Sequence, residues 1–249
     1  MRTTLLRCAC LSFCFVVAWI NPLQAQTRRE TALLYVELGN ELTRHGDFDR
    51  AIGAYNIALQ FEPKLALAYF KRALAQQASG RFTEAIADYT TTLEIVPISA
   101  EAYANRGNIL ALQDQVDKAL ADWSTALEIN PKLKTVFYNR GNLWLNHGSL
   151  ELALADFDRA LAIDHDYVAA YNNRAIARVG QGDIEGAIAD LNRAIRIDSR
   201  FSEAYVNRGL ARLQQGKRRE AERDFARSLK LKASLKAIID QRVDQISQK

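Results

Sequence analysis

The chain has 249 residues, 49% of them hydrophobic and 25% charged, a balance that supports a packed core and excludes a disordered chain. Only four prolines and twelve glycines are available to interrupt it, which favours long helices. The formal charge of +4 gives no general electrostatic case for nucleic acid, and no nucleic-acid partner is expected.

The first element is a leader. Arg2 and Arg7 are basic, Cys8 to Ile20 is almost wholly apolar, and Leu23-Gln24-Ala25 ends on a small residue. That pattern is a secretory signal peptide over residues 1–25, cleaved after Ala25. The apolar run is short of the roughly 20 residues that span a bilayer, so no stable membrane span is expected after cleavage. Cys8, Cys10 and Cys14 all lie in the leader, which leaves the mature chain without a thiol. Arg7 and Phe13 precede Cys8 and Cys14 where a lipoprotein signal needs small residues. Losing Arg2 and Arg7 lowers the formal charge from +4 to +2. The expected localisation is periplasmic or secreted.

After a short mature segment, 26–31, the chain repeats itself. Tyr103-Ala104-Asn105-Arg106-Gly107 is echoed at Phe137 to Gly141, Tyr171 to Ala175 and Tyr205 to Gly209, with a period of 34 residues; weaker copies begin at Tyr69 and Tyr35. Six units follow: 32–65, 66–99, 100–133, 134–167, 168–201 and 202–235. Position 8 of each is small (Gly39, Ala73, Gly107, Gly141, Ala175, Gly209), and position 20 is alanine throughout (Ala51 to Ala221). Small residues mark helix crossings, because backbones approach within about 8–10 Å only where side chains are small. Position 24, as Tyr55, Tyr89, Trp123, Phe157, Leu191 and Phe225, fills the space beside them. Glycine recurs at the turn between the helices, with Asp114 its one substitute, as a left-handed helix end requires. Pro63, Pro97 and Pro131 end the second helix of the first three units; His165, Ser199 and Ala233 replace them later. Residues 236–249 carry Ile239, Val243 and Ile246 at helical spacing and form a capping helix.

In length and in these positions the chain resembles the tetratricopeptide repeat (TPR) family over residues 32–235. The resemblance implies an all-α fold, a right-handed superhelical solenoid of six helix-turn-helix units plus the C-terminal capping helix. It also implies a concave groove lined by positions 2, 5, 6, 9, 12 and 13 of each first helix, and partners that are other proteins or peptides. A homo-oligomer is possible.

Two recurring motifs bear on function. Arginine fills position 7 (Arg72, Arg106, Arg140, Arg174, Arg208) and aspartate position 23 (Asp88, Asp122, Asp156, Asp190, Asp224); the first unit lacks both, with Leu38 and Ala54. Joint loss within one chain points to an ion pair between helices rather than to ligand contact. Asparagine fills position 6 in four units, Asn105, Asn139, Asn173 and Asn207, with Asn108 and Asn142 at position 9 and Phe70 and Tyr138 at position 5. These eight residues are the candidate protein-binding groove. An amide both donates and accepts, so the ladder suits an extended backbone; alternatively each asparagine bonds to the neighbouring helix. Position 5 carries no lysine, which disfavours the clamp by which some TPR domains grip a terminal carboxylate.

Enzymatic chemistry is not expected. Three histidines and no mature cysteine leave no nucleophile pair and no soft metal site, and neither a cofactor nor a metal is implied. Asp164-His165-Asp166 sits at a unit boundary where polar turns are ordinary, and Gly182 in Gly180 to Gly186 is a turn glycine rather than part of a dinucleotide loop. The reading is an exported scaffold or adaptor that holds an extended segment of a client. The alternative is a regulatory subunit of a cell-envelope enzyme, a peptidoglycan hydrolase or protease.

Overall fold

Thirty-four-residue periodicity with two apolar stripes per unit has one economical solution, a pair of antiparallel helices stacked on the next pair. The computed structural model describes residues 22–247, and the expected leader lies outside them except for its last four residues. Among the described residues there are thirteen α-helices, one short 3-10 turn at Ala233–Leu235, and no strand.

One compact unit ends at Asp88 and the other begins at Tyr89. The first contains α1 (Pro22–Arg44), α2 (Phe48–Phe61), α3 (Ala66–Ala78) and the start of α4 (Phe82–Ile95). Here α1 packs on α2 and α2 on α3 around Ala32, Val36, Ala51, Tyr55 and Ala68. The short segment 26–31 lies within α1, which starts on Pro22, a residue suited to a first helical turn, and meets no breaker before Gly39.

The second unit continues with α5 (Ala100–Leu112), α6 (Val116–Ile129), α7 (Lys134–Asn146), α8 (Leu150–Ile163), α9 (Val168–Gly180) and α10 (Ile184–Ile197). It ends with α11 (Ser202–Gln214), α12 (Arg218–Leu231) and α13 (Lys236–Ser247). Each odd helix pairs with the even helix after it, and successive odd helices α5, α7, α9, α11 and α13 lie side by side. The hydrophobic core runs along the pairs through Trp123, Phe157 and Leu191.

The turn inside each pair is a Schellman closure: Gln115 N–H donates to Leu110 O at 2.9 Å, and Asp114 takes φ +58 where the other turns hold glycine at φ +73 to +83. Asx turns follow three of the pairs: Asn130 Oδ1, beside Pro131, accepts from Lys132 N–H at 3.0 Å, and two more stand where proline is missing, while the sixth pair runs into the 3-10 turn. Asp164 Oδ1 accepts from Asp166 N–H at 3.0 Å, and Asp198 Oδ1 from Arg200 N–H at 2.8 Å. At the C-terminus, α13 buries Ile239 with Leu235 and Val206 and turns Lys236, Asp240 and Gln241 outward.

Candidate protein-binding groove

The arginine at position 7 holds three helices together. In the first compact unit Arg72 donates through Nε and Nη2 to both oxygens of Asp88, at 2.7 and 2.6 Å. In the second unit Arg106, Arg140, Arg174 and Arg208 bind Asp122, Asp156, Asp190 and Asp224 in the same two-pronged way, at 2.6 to 2.9 Å. The carboxylate side chains are at most 9% exposed, so each charge is matched where an unpaired one would be costly. Hydrogen bonding to Asp88 and Asp122 raises the pKa of Arg72 and Arg106 above the ordinary arginine value. Burial opposes charge on Arg174, but Asp190 and Asp158 outweigh it and the pKa rises.

Each guanidinium also lies over the position-4 ring of its own helix, at 5.3 to 5.8 Å. Its third nitrogen reaches back to position 25 of the preceding repeat: Arg72 to Asn56, Arg106 to Thr90, Arg140 to Ser124, Arg174 to Asp158 and Arg208 to Asn192. The joint loss of positions 7 and 23 pointed to the aspartate, but not to this second partner. Its signal was present, since position 25 carries a side-chain acceptor in the five repeats that an arginine follows, and Ala226 in the last. These arginines are therefore built into the stack and are not open to a ligand.

The asparagines form a relay along the odd-helix face of the second unit. Asn139 Nδ2 donates to Asn108 Oδ1 at 2.9 Å, and Asn173 Nδ2 to Asn142 Oδ1 at 2.7 Å and to the Tyr138 hydroxyl at 3.2 Å. Asn207 has Ile176 rather than asparagine at position 9 of the repeat before it, and donates instead to Asn172 Oδ1 at 2.8 Å. Arg242 of α13 closes the row by donating to Asn207 Oδ1 at 3.2 Å. Of the two readings left open by the sequence, the bond to the neighbouring helix is the one the geometry displays for these three residues. Asn105 makes no side-chain hydrogen bond to any described residue. Asn139 and Asn207 each keep a second amide hydrogen, whereas Asn173 commits both of its hydrogens and keeps only acceptor capacity, so bracing does not exhaust the row.

Of the other groove candidates, Tyr138 is half-buried, its ring 5.0 Å from Tyr167 and 6.1 Å from Phe157. Phe70 belongs to the first unit, where it is half-buried with Lys71 Nζ 6.0 Å from its ring. The ladder residues and Tyr138 share one face of the second unit.

At the C-terminal end of that face lies a cavity of about 620 Å³ between α9, α11 and α13. Ile176, Val179, Leu210, Leu213 and Ile246 give it apolar walls; Asn207, Gln214, Gln245 and Arg242 line it with polar groups. Its position follows from one substitution, because Leu191 at its floor stands where four of the other five repeats place a ring with glycine opposite. Leu210, Arg242 and Ile246 were not among the sequence candidates, since only the packing of α13 beside α11 brings them to the groove.

The Asp164 and Asp166 carboxylates are engaged by cations: Lys134 Nζ binds Asp164 at 2.5 Å and Arg193 binds Asp166 at 2.9 Å. The Lys134 hydrogen bond lowers the Asp164 pKa, reinforced by the Asp166 N–H. Among the described residues no group of three His, Cys, Asp or Glu could hold a metal ion, and no helix is long and apolar enough to cross a membrane.

Models of the tetratricopeptide repeat match residues 100–133 and 202–235, and a TPR repeat model matches 39–80 and 177–216. No curated protein matches the chain. Among solved structures it is similar to PilF of Pseudomonas aeruginosa, at 18% identity and TM-score 0.73, covering 83% of this chain and 94% of that one. It is also similar to PilW, described as a widely conserved type IV pilus biogenesis factor, at 22% identity and TM-score 0.69, covering 83% and 92%. YrrB, described as a TPR protein with an unusual peptide-binding site, matches at 18% identity and TM-score 0.65, covering 77% and 98%. At these identities the likeness is one of fold.

Proposed function

The chain belongs to the tetratricopeptide repeat family, and from that premise we propose that it is an exported, non-enzymatic scaffold that holds an extended segment of a client protein. The observation that carries this reading is the cavity between α9, α11 and α13: an apolar floor sits beside a row of amides that retain hydrogen-bonding capacity. Such a surface takes apolar side chains into the pocket and meets the backbone beside them at the amides. YrrB's peptide-binding site adds support at the level of fold. Export rests on the leader and places the site in the periplasm or outside the cell.

The test has two arms. Expression from the full sequence in a Gram-negative host should give a periplasmic protein that starts at Gln26; uncleaved protein in the membrane fraction would overturn export. Separately, Ile176→Glu puts a charge on a partly exposed wall of the cavity, so the fold should survive while capture of displayed random peptides falls at least tenfold. Equal capture by a folded variant would remove the groove from the reading. Recovery of one stoichiometric enzyme in place of varied clients would favour the regulatory subunit.

A further inference from the structure

The outward side of the even helices carries its own internal standard, because it recurs every 34 residues and packing does not dictate it. At position 18 four repeats hold an acid, Asp49, Asp117, Glu151 and Glu185, and the second holds Thr83; the sixth holds Arg219. At position 22 the first five hold Gly53, Ala87, Ala121, Ala155 and Ala189; the sixth holds Arg223. Both arginines are exposed, and neither has an ion pair or side-chain hydrogen bond among the described residues. With Arg227 and Lys230 they recur at i, i+4, i+8 and i+11, which sets four cations along one side of α12 over roughly 16 Å. The opposite side is the buried one, Ala221, Asp224 and Ser228.

This charge is held at a cost. Like charges four apart on a helix repel, and Arg218 and Arg219 stand in a first turn, where the helix dipole disfavours cations. Within the fold only Arg227 gains from a neighbour, its guanidinium 5.9 Å from the Tyr205 ring; Glu220 is engaged by Arg212 and Asp224 by Arg208, leaving Glu222 as the one exposed acid of the helix without a partner. A repeat array that keeps basic residues off both positions in five repeats, and places arginine at both in one helix, carries a surface meant for an anionic partner.

We propose that the outer face of α12 docks on an anionic lipid surface through its phosphate headgroups. The stripe lies on the exposed side of one helix and has no aromatic side chain at its outward positions, so it lacks the stacking platform that single-stranded nucleic acid uses. Each cation near a charged bilayer strengthens attachment several-fold, and four in one row make attachment additive and salt-dependent. The choice of a lipid surface rests on export; the basic stripe itself does not.

The test is co-sedimentation of the protein, expressed from its full sequence, with phosphatidylcholine vesicles containing about 30% phosphatidylglycerol or none, at roughly 50 and 300 mM salt. Arg219→Glu with Arg223→Ala gives α12 the residues that Glu185 and Ala189 hold in α10, so the fold accommodates them. Wild type should bind the anionic vesicles and lose them at high salt, and this variant should bind on the order of thirtyfold more weakly, with its melting temperature unchanged or raised. Lys64→Glu with Lys132→Ala, an equal charge change at exposed sites elsewhere, should bind within about twofold of wild type. Equal binding to pure phosphatidylcholine, an undiminished α12 variant, or tighter binding to DNA at the same salt would each overturn the proposal, whatever the outcome of the export measurement.

Discussion

Gly141 is bare because Phe157 stands where its side chain would go. An added Cβ would meet Phe157 Cε1 at 2.8 Å and Cδ1 at 3.0 Å, and the ring is fully buried. Gly39, Gly107 and Gly209 face Tyr55, Trp123 and Phe225 in the same way, whereas the fifth repeat, with Leu191, accepts Ala175. The second repeat combines Ala73 with Tyr89, so the penalty is one of fit and not an absolute bar. Gly141→Ala should therefore lose about 1–3 kcal/mol to overpacking while regaining about 1 kcal/mol of helix propensity. Adding Phe157→Leu, the combination of the fifth repeat, should relieve the clash, and the double-mutant cycle should show a favourable coupling of at least about 1 kcal/mol. Strictly additive effects in denaturant melts would mean that the ring does not set the choice of glycine. A second residue-scale effect concerns pH. Burial, with Tyr138 and Asp164 nearby, pushes the Tyr167 phenol from 10.0 up to about 12. A raised pKa means the neutral phenol is favoured in the fold, so its contribution is complete below pH 10 and is lost as pH climbs through about 12. Between those values the denaturation midpoint should fall more steeply for wild type than for Tyr167→Phe, and parallel curves would contradict the shift.

At the scale of elements, the helices and their turns were legible in the sequence because each depends on local chemistry: small residues at crossings, glycine or Asp114 in the left-handed turn, apolar spacing in α13. The Asx turns at Asp164 and Asp198 were legible in principle, since an aspartate just before the position that proline vacates is a turn signal, but proline alone was read as the stop. What the asparagines do was not legible. Recurrence marks position 6 as special, but the partner depends on how far one odd helix slides along the next, a register set by the whole interface. The partner even changes along the row, from Asn108 and Asn142 at position 9 to Asn172 at position 5. This pattern makes Asn105 an internal control. Replacing Asn139, Asn173 and Asn207 with alanine should cost about 0.5–1.5 kcal/mol for each lost bond, partly offset by alanine's helix propensity. Asn105→Ala loses no bond and should leave the melt unchanged or slightly higher. A triple variant as stable as wild type would show that the ladder does not brace the stack.

For the molecule as a whole, a linear array has ends, and what closes an end differs from what fills the middle. The sequence located the cap correctly through Leu235, Ile239 and Val243, but not its second role, because cavity walls arise from where α13 lies beside α11. Within residues 89–247 each pair packs chiefly on its neighbours, so stability should be distributed as a sum of local contributions. Ending the chain after Leu235 tests this. It removes Ile239 and Val243 from Val206, Leu210 and Phe225, each buried side chain being worth about 1.5–3 kcal/mol, and strips Asn207 of its Arg242 donor. Amide hydrogen exchange should then accelerate in α11 and α12, fall off through α9 and α10, and stay unchanged in α5 and α6. Peptide capture should weaken together with the loss of the α13 wall, although Ile176, Val179 and Leu213 remain. If protection were lost equally from α5 to α12, the array would be folding as one cooperative block, and α13 would be holding the whole of it rather than its last pair.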